Sequence, residues 1–272
     1  MKKISLILLM TSALLVSGCA TTTNNSVSGV ERSQFLMLPA SSVVTMSGQA
    51  YNETLEKAKT QKTLNTDPAM LKRITIISNR LIGQVGIFRS DAPKWAWEVN
   101  VEKNEQLNAY CMPGGKIMVY SGLVEKIEAT DDELAAVIGH EIAHALREHG
   151  REQMSQAFVQ QYGIQALATL AGDGITGALA TQGAQLGSQL FFALPNSREQ
   201  EREADRIGLE LAARAGYNPN AAVTLWQKMT SQNPASPPEF LSTHPASQNR
   251  ISDLRALAPK VMPLYDAAIR AR

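Results

Sequence analysis

The pentad His140-Glu141-Ile142-Ala143-His144 constrains this chain more than any other stretch. It reads H-E-x-x-H. In a helix, residues i and i+4 lie one turn apart on the same face. Two imidazoles placed that way can grip one zinc ion, and the glutamate between them reaches the proton of a water bound there. The chain has only four histidines, so two of them at this spacing make a specific signal. The flanks also predict a helix. Thr130 with Glu133 makes a capping box, and Asp131 and Asp132 add negative charge at the helix start. Leu134, Val137, Ile138, Ile142 and Leu146 recur with helical period, and Gly150 stops the run. The bland alternative is an amphipathic helix whose histidines happen to be a turn apart. Against it, His140, Glu141 and His144 interrupt the most apolar stretch, where polar groups need partners.

A hydrolytic zinc site needs a third protein ligand and one open position. Cys111 stands alone and does not supply it. The stretch Ser197 to Gly208 is the better source, with helical character and Gly216 as a stop. Glu201 and Asp205 are one turn apart within it and share a face. Glu201 is a candidate ligand, and Asp205 can accept a hydrogen bond from a ligating imidazole and fix its tautomer. The bland reading is a solvated face with Glu199 and Glu203 paired to arginines. Residue chemistry alone does not choose Glu201 over Glu203.

A family resemblance makes that choice. The H-E-x-x-H helix, the E-x-x-A-D helix, the segment from Asn108 to Leu123, His244-Pro245 and Arg250-Ile251 follow one another here in the order of the HtpX-like and CAAX-prenyl-protease-like zinc metallopeptidases. The resemblance spans roughly residues 65 to 257 and is strongest to the family's bacterial envelope lipoproteins. It implies one zinc ion per chain, held by His140, His144 and Glu201, with Asp205 behind a ligand. It implies that His244 lies near the metal, as a fourth ligand in a closed state or as a donor to the oxyanion, and that Arg250 orients His244 or substrate. The implied fold is α+β, a mostly helical zincin-type domain with a small, mainly antiparallel sheet beside the H-E-x-x-H helix.

The N-terminus carries a separate signal. Lys2 and Lys3 precede a short apolar run from Ile4 to Val16, too short for a comfortable membrane span. Val16-Ser17-Gly18-Cys19 resembles a bacterial lipobox. Residues 1–18 then read as a lipoprotein signal peptide, with Cys19 as the lipidated residue. Residues 19–32 read as a Thr-, Ser- and Asn-rich flexible spacer, and 33–272 as a single metallopeptidase domain. An ordinary signal peptide with an incidental cysteine is the alternative. Ala20 after the cysteine points to outer-membrane sorting, and several acyl chains give stable attachment. Cleavage would remove two of the 26 basic side chains and none of the 25 acidic ones. The resulting balance gives no support for nucleic-acid binding. With Cys19 acylated, Cys111 has no intramolecular disulfide partner.

Along the rest of the chain, residues 43–62 and a stretch starting near Pro68 predict helices. Trp95 to Val101, Ala109 to Met112 and Lys116 to Tyr120 predict strands, the last two around a Pro-Gly-Gly turn. An exposed strand edge there would hold an extended substrate by main-chain bonds. Residues 152–194 predict two helices around Gly172-Asp173-Gly174, flanking or covering the site. Asn218 is expected to cap a helix that starts at Pro219.

These readings converge on a zinc endopeptidase with Glu141 as general base. Its expected substrates are unfolded or misassembled envelope proteins. Its expected partners are the membrane, through the N-terminal lipid, and components of outer-membrane assembly. It would be an outer-membrane lipoprotein facing the periplasm. Two other readings stay open: a proteolytically restrained chaperone, and a structural lipoprotein in which zinc staples helices. A ligand set with an open position suits catalysis better than a staple.

Overall fold

Three of the described helices start where a side chain binds their free N–H groups. The computed structural model describes residues 19–170, 195–231, 239–244 and 248–271. In chain order the elements used below are strands β1 (Cys19–Ala20) and β2 (Gln34–Phe35), then helices α1 (Ala40–Thr60) and α2 (Pro68–Ile82). Strands β3 (Glu98–Glu102), β4 (Ala109–Met112) and β5 (Lys116–Tyr120) follow. Then come helices α3 (Ser121–Glu125), α4 (Asp131–Leu146), α5 (His149–Leu170), α6 (Arg198–Arg214), α7 (Ala221–Thr230), α8 (Glu239–Thr243) and α9 (Gln248–Arg270). The expected capping box of α4 is present, with Thr130 and Glu133 bonding each other's main-chain N–H. Ser197 and Gln200 make a second one on α6. Asp67 caps α2 ahead of Pro68. Each cap of this kind is worth about 1 kcal/mol.

Asn218 does not cap a helix at Pro219. Helix α7 begins two residues later, at Ala221, and the Asn218 carboxamide instead accepts from the Asn220 N–H in the preceding turn. The side chain satisfies a local turn before the helix can start.

The fold class is the expected one: mostly helical, with a small sheet against α4. The strand order is β3-β5-β4. The Pro-Gly-Gly hairpin pairs β4 with β5 antiparallel, Tyr110 opposite Met118. Gly114 has φ +86°, which the third position of a type II turn requires after Pro113. The sheet is mixed, because β3 pairs with the other edge of β5 in parallel, Val99 opposite Ile117. Strand β4 carries the chain back, so β5 runs the same way as β3.

Helix α4 is buried from Glu133 through Leu146. A helix closed in on every side lies at the centre of its domain. It packs against α2, α6, α7 and β4. Its crossing with α6 is glycine against glycine. A methyl group on Gly208 would lie 2.7 Å from His140 N and 2.8 Å from its Cα. Only glycine lets α6 approach this closely, and that approach carries Glu201 to the H-E-x-x-H face.

The expected spacer is laid along the domain rather than left free. Asn24 N donates to Phe88 O at 2.7 Å, and Ser28 N donates to Glu210 at 2.6 Å. Arg147 donates from Nη1 to the hydroxyls of Thr21 and Thr23 at 3.1 and 3.3 Å. Polar residues that read as a linker therefore serve as partners for buried charge. The expected signal peptide, and the expected second helix of the 152–194 stretch, lie outside the described residues. Among the described residues, no helix is long and apolar enough to cross a membrane.

Candidate metal centre

Helix α4 directs His140, Glu141 and His144 toward α6 and the short α8, all three side chains buried. His140 and His144 bring their Nε2 atoms to 3.0 Å of each other. From α6, Glu201 offers Oε1 at 3.3 Å from His144 Nε2 and Oε2 at 3.4 Å from His140 Nε2. His244, just past α8, offers Nδ1 at 3.2 Å from His140 Nε2 and 2.9 Å from Glu201 Oε1. One donor atom from each of the four residues falls within 4.8 Å of every other. At zinc–ligand distances of about 2.0–2.1 Å, the edge of a tetrahedron is about 3.3–3.4 Å. Five separations, counting either Glu201 oxygen, run from 2.9 to 3.4 Å, close to such an edge. Three imidazole nitrogens facing one point cannot satisfy one another by hydrogen bonds alone, so the donor set fits a cation.

The surroundings fix each donor. Asp205, one turn beyond Glu201, faces His140 Nδ1 at 3.0 Å. Arg250 from α9 clamps Asp205 with two bonds of 2.7 Å and reaches Glu201 Oε2 at 2.6 Å. Its guanidinium lies 3.9 Å over the Trp226 ring. Burial pushes the His140 imidazole down, but Asp205 and Glu201 outweigh it and raise its pKa to about 9. The pocket thus favours positive charge at that ring. Burial pushes His144 well below its usual value. Burial works against an ionised Glu201, yet the three histidines around it hold it well below the usual carboxylate range. Asp205 is likewise opposed by burial and held low chiefly by Arg250.

Glu203 points elsewhere, toward Arg147, Arg32 and His149, and Glu199 pairs at the surface with Arg202. The choice between Glu201 and Glu203 as part of the cluster therefore falls on Glu201. Glu141 Oε1 lies 3.5 Å from His244 Nε2, and burial pushes its carboxyl up.

A cleft of about 170 Å³ opens beside this cluster, lined among others by Tyr110, Cys111, Glu141, His144, Asn196 and His244. Strand β4 forms one wall. Asn108 O and Met112 O accept from Tyr120 N and Gly115 N, so the even-numbered positions face β5. By alternation, Ala109 and Cys111 turn their main-chain groups toward the cleft side. Cys111 is no nucleophile. Its thiol is fully buried, burial raises its pKa well above normal, and its Sγ lies 3.8 Å from Met112 O.

Residues 72–258 match the model of peptidase family M48. The chain belongs to peptidase family M48. Its members are zinc metallopeptidases, in keeping with the four-donor cluster. Among M48 relatives, the metalloprotease LoiP of Escherichia coli is 32% identical over 258 residues, covering 94% of this chain and 96% of LoiP. The mitochondrial metalloendopeptidase OMA1 of Saccharomyces cerevisiae is 35% identical over 182 residues, 65% of this chain and 50% of OMA1. The beta-barrel assembly-enhancing protease of Yersinia pestis is 33% identical over 210 residues, 72% of this chain and 40% of that protein. Of the OMA1 relatives the chain spans only 30% to 60%.

Sequence reasoning missed three contributors to this M48 site. His149 Nδ1 lies 2.9 Å from His144 Nδ1. Asn196 holds the His244 segment, its N–H donating to Thr243 O at 3.0 Å. Phe240 stacks on the His244 ring, centroids 4.3 Å apart. The available signal for His149 was the histidine count, since all four histidines of the chain converge here.

Proposed function

We propose that this chain is a zinc endopeptidase of the bacterial cell envelope that cleaves unfolded or misassembled envelope proteins. The observation that carries the reading is that Glu141 lines one cleft together with His144 and His244, two members of the four-donor cluster. The near full-length likeness to LoiP and the likeness to the beta-barrel assembly-enhancing proteases support the envelope setting. They also support outer-membrane assembly components as partners.

His140, His144 and Glu201 would hold the zinc. A zinc ion there would supply polarisation of the scissile carbonyl and lower the pKa of a water toward about 7. Glu141 takes the proton of the attacking water at its carboxylate and returns it to the leaving amine. The cleft-facing main chain at Cys111 and the Ala109 carbonyl give an extended substrate main-chain partners, which favours backbone over side-chain selectivity. Asp205 fixes His140 with its proton on Nδ1, and Arg250 holds Asp205. Purified protein should therefore carry one zinc. His140→Ala, His144→Ala and Glu201→Ala should each lose most of it by metal analysis. Asp205→Ala should weaken zinc binding or activity by about 10- to 100-fold. Full zinc content in Glu201→Ala would remove that ligand from the set.

His244 is the gate in this reading. Its Nδ1 occupies the fourth corner of the donor set, where a hydrolytic site keeps its open position. Removing the ring should open that corner. His244→Ala should lose one imidazole from the zinc by X-ray absorption and cleave unfolded protein faster at rest. A donor to the oxyanion would behave oppositely, losing about 10²–10³ in turnover. Unchanged zinc coordination with an unchanged rate would return His244 to an ordinary loop histidine.

Cys19 is the attachment point. The packed segment that begins at Thr21 would then seat the domain close to the membrane surface, with the cleft on the periplasmic side. Cys19→Ser should leave the protein unacylated and unprocessed or released from the outer membrane. Finding the wild type soluble and unacylated in the periplasm would overturn the lipoprotein reading.

A further inference from the structure

We infer that His149 is the positioning residue for His144, and that the N-terminal segment completes this support through Arg32. The inference rests on the zinc reading above. His144 turns Nε2 to the donor cluster and Nδ1 to His149 Nδ1, 2.9 Å away. An imidazole that binds a metal through one nitrogen carries its proton on the other. His144 Nδ1–H then donates to His149 Nδ1. His149 must keep its own proton on Nε2, which donates to Glu203 Oε2 at 2.9 Å. This pair of tautomers satisfies both bonds. Moving the His149 proton to Nδ1 would set two N–H groups face to face and leave the carboxylate unbonded.

Glu203 is held as a permanent acceptor. Arg147 donates to its Oε2 from Nε and Nη2 at 3.1 Å each. Arg32 donates from Nε to Oε1 at 2.8 Å and from Nη2 to Oε2 at 3.1 Å. Arg32 also bridges to both oxygens of Glu152, at 2.6 and 2.8 Å. Arg147 in turn binds Arg32 O, Thr21 and Thr23. The N-terminal segment thus supplies one of the two guanidinium groups that fix Glu203 and most of the groups that fix the other. The two ligand imidazoles have matching supports. His140 meets a carboxylate directly, with Arg250 behind it. His144 meets one through a second imidazole, with Arg147 and Arg32 behind it. This gives the segment after Cys19 a part in metal binding as well as in attachment.

A purely structural ion network would lower the stability of the zinc-free protein and leave the metal unaware of it. The test therefore reads the metal. Zinc affinity of the full chain is measured by competition with a chromophoric chelator, and the visible spectrum is taken after Co²⁺ substitution. His149→Ala should weaken zinc binding by about 10- to 100-fold and alter the cobalt spectrum. His149→Gln, which keeps one acceptor and one donor, should recover part of the affinity. Arg32→Ala, at the outer end, should weaken zinc binding several-fold. Arg73→Ala, which breaks a bridge to Asp131 at the surface, should not. If wild type binds no zinc, the site reading itself fails. If wild type binds one zinc while folded His149→Ala shows unchanged affinity and spectrum, the relay is overturned. Should His149→Ala not fold, the relay is overturned by His149→Gln and Arg32→Ala both binding zinc as wild type does.

Discussion

Glu141→Gln should lower cleavage of an unfolded protein by about 10²–10⁴-fold, the range of a positioned general base, while zinc content stays at the wild-type level. The two side chains have nearly the same shape, so the packing of α4 is kept. The amide cannot take a proton. Glu141 is the cleft-lining carboxylate that the donor cluster leaves unused, its Oε1 near His244 Nε2 and its pKa pushed up by burial. A raised carboxyl is better matched to holding a proton between the water and the leaving amine. The measurement also separates the alternatives. A chaperone would protect unfolded proteins from aggregation equally well with Glu141→Gln, and a zinc staple would show neither activity. Wild-type cleavage by the variant, with its zinc in place, would remove Glu141 from the reaction. The set of envelope proteins that accumulates with Glu141→Gln in cells would identify the substrates.

The parts of the site legible in the sequence are those set by one helix. Capping and apolar period located α4 and fixed that His140 and His144 share a face. The partners of that face depend on packing, which spacing does not encode. Glu201 and Glu203 lie two residues apart on α6, about 200° around its axis, and both are buried. Which one meets His140 is decided by the Gly208 contact with the α4 backbone. The i, i+5 spacing of His144 and His149 has no meaning within a helix. Glu148 breaks the helix with φ +51°, and that turn swings the His149 ring back onto His144. The packing of the N-terminal segment is not legible in the sequence for a related reason. Its polar residues find their partner in Arg147, which is wholly buried, whereas arginine is ordinarily exposed. Burial of that side chain needs the rest of the fold to be known first.

Arg250→Ala should destabilise the zinc-free protein by about 3–5 kcal/mol, the cost of breaking a buried ion pair from one side. The guanidinium holds Asp205 with two bonds and Glu201 with a third, and it covers the Trp226 ring. Its loss leaves two buried carboxylates without their arginine. At about 2–4 °C per kcal/mol for a domain of this size, Tm should fall by about 6–20 °C. Zinc changes the outcome. When it is bound, its charge faces Glu201 in place of the arginine, and Asp205 keeps only the His140 Nδ1–H as a partner. The loss of stability should therefore be clearly smaller in excess zinc than in a chelator. Arg250→Lys should restore part of it, because one ammonium cannot span both carboxylates as the guanidinium does. Thermal unfolding of the three proteins in both conditions measures this. Equal losses with and without zinc would mean that Arg250 acts through packing on Trp226, and that Glu201 does not share its countercharge with the metal.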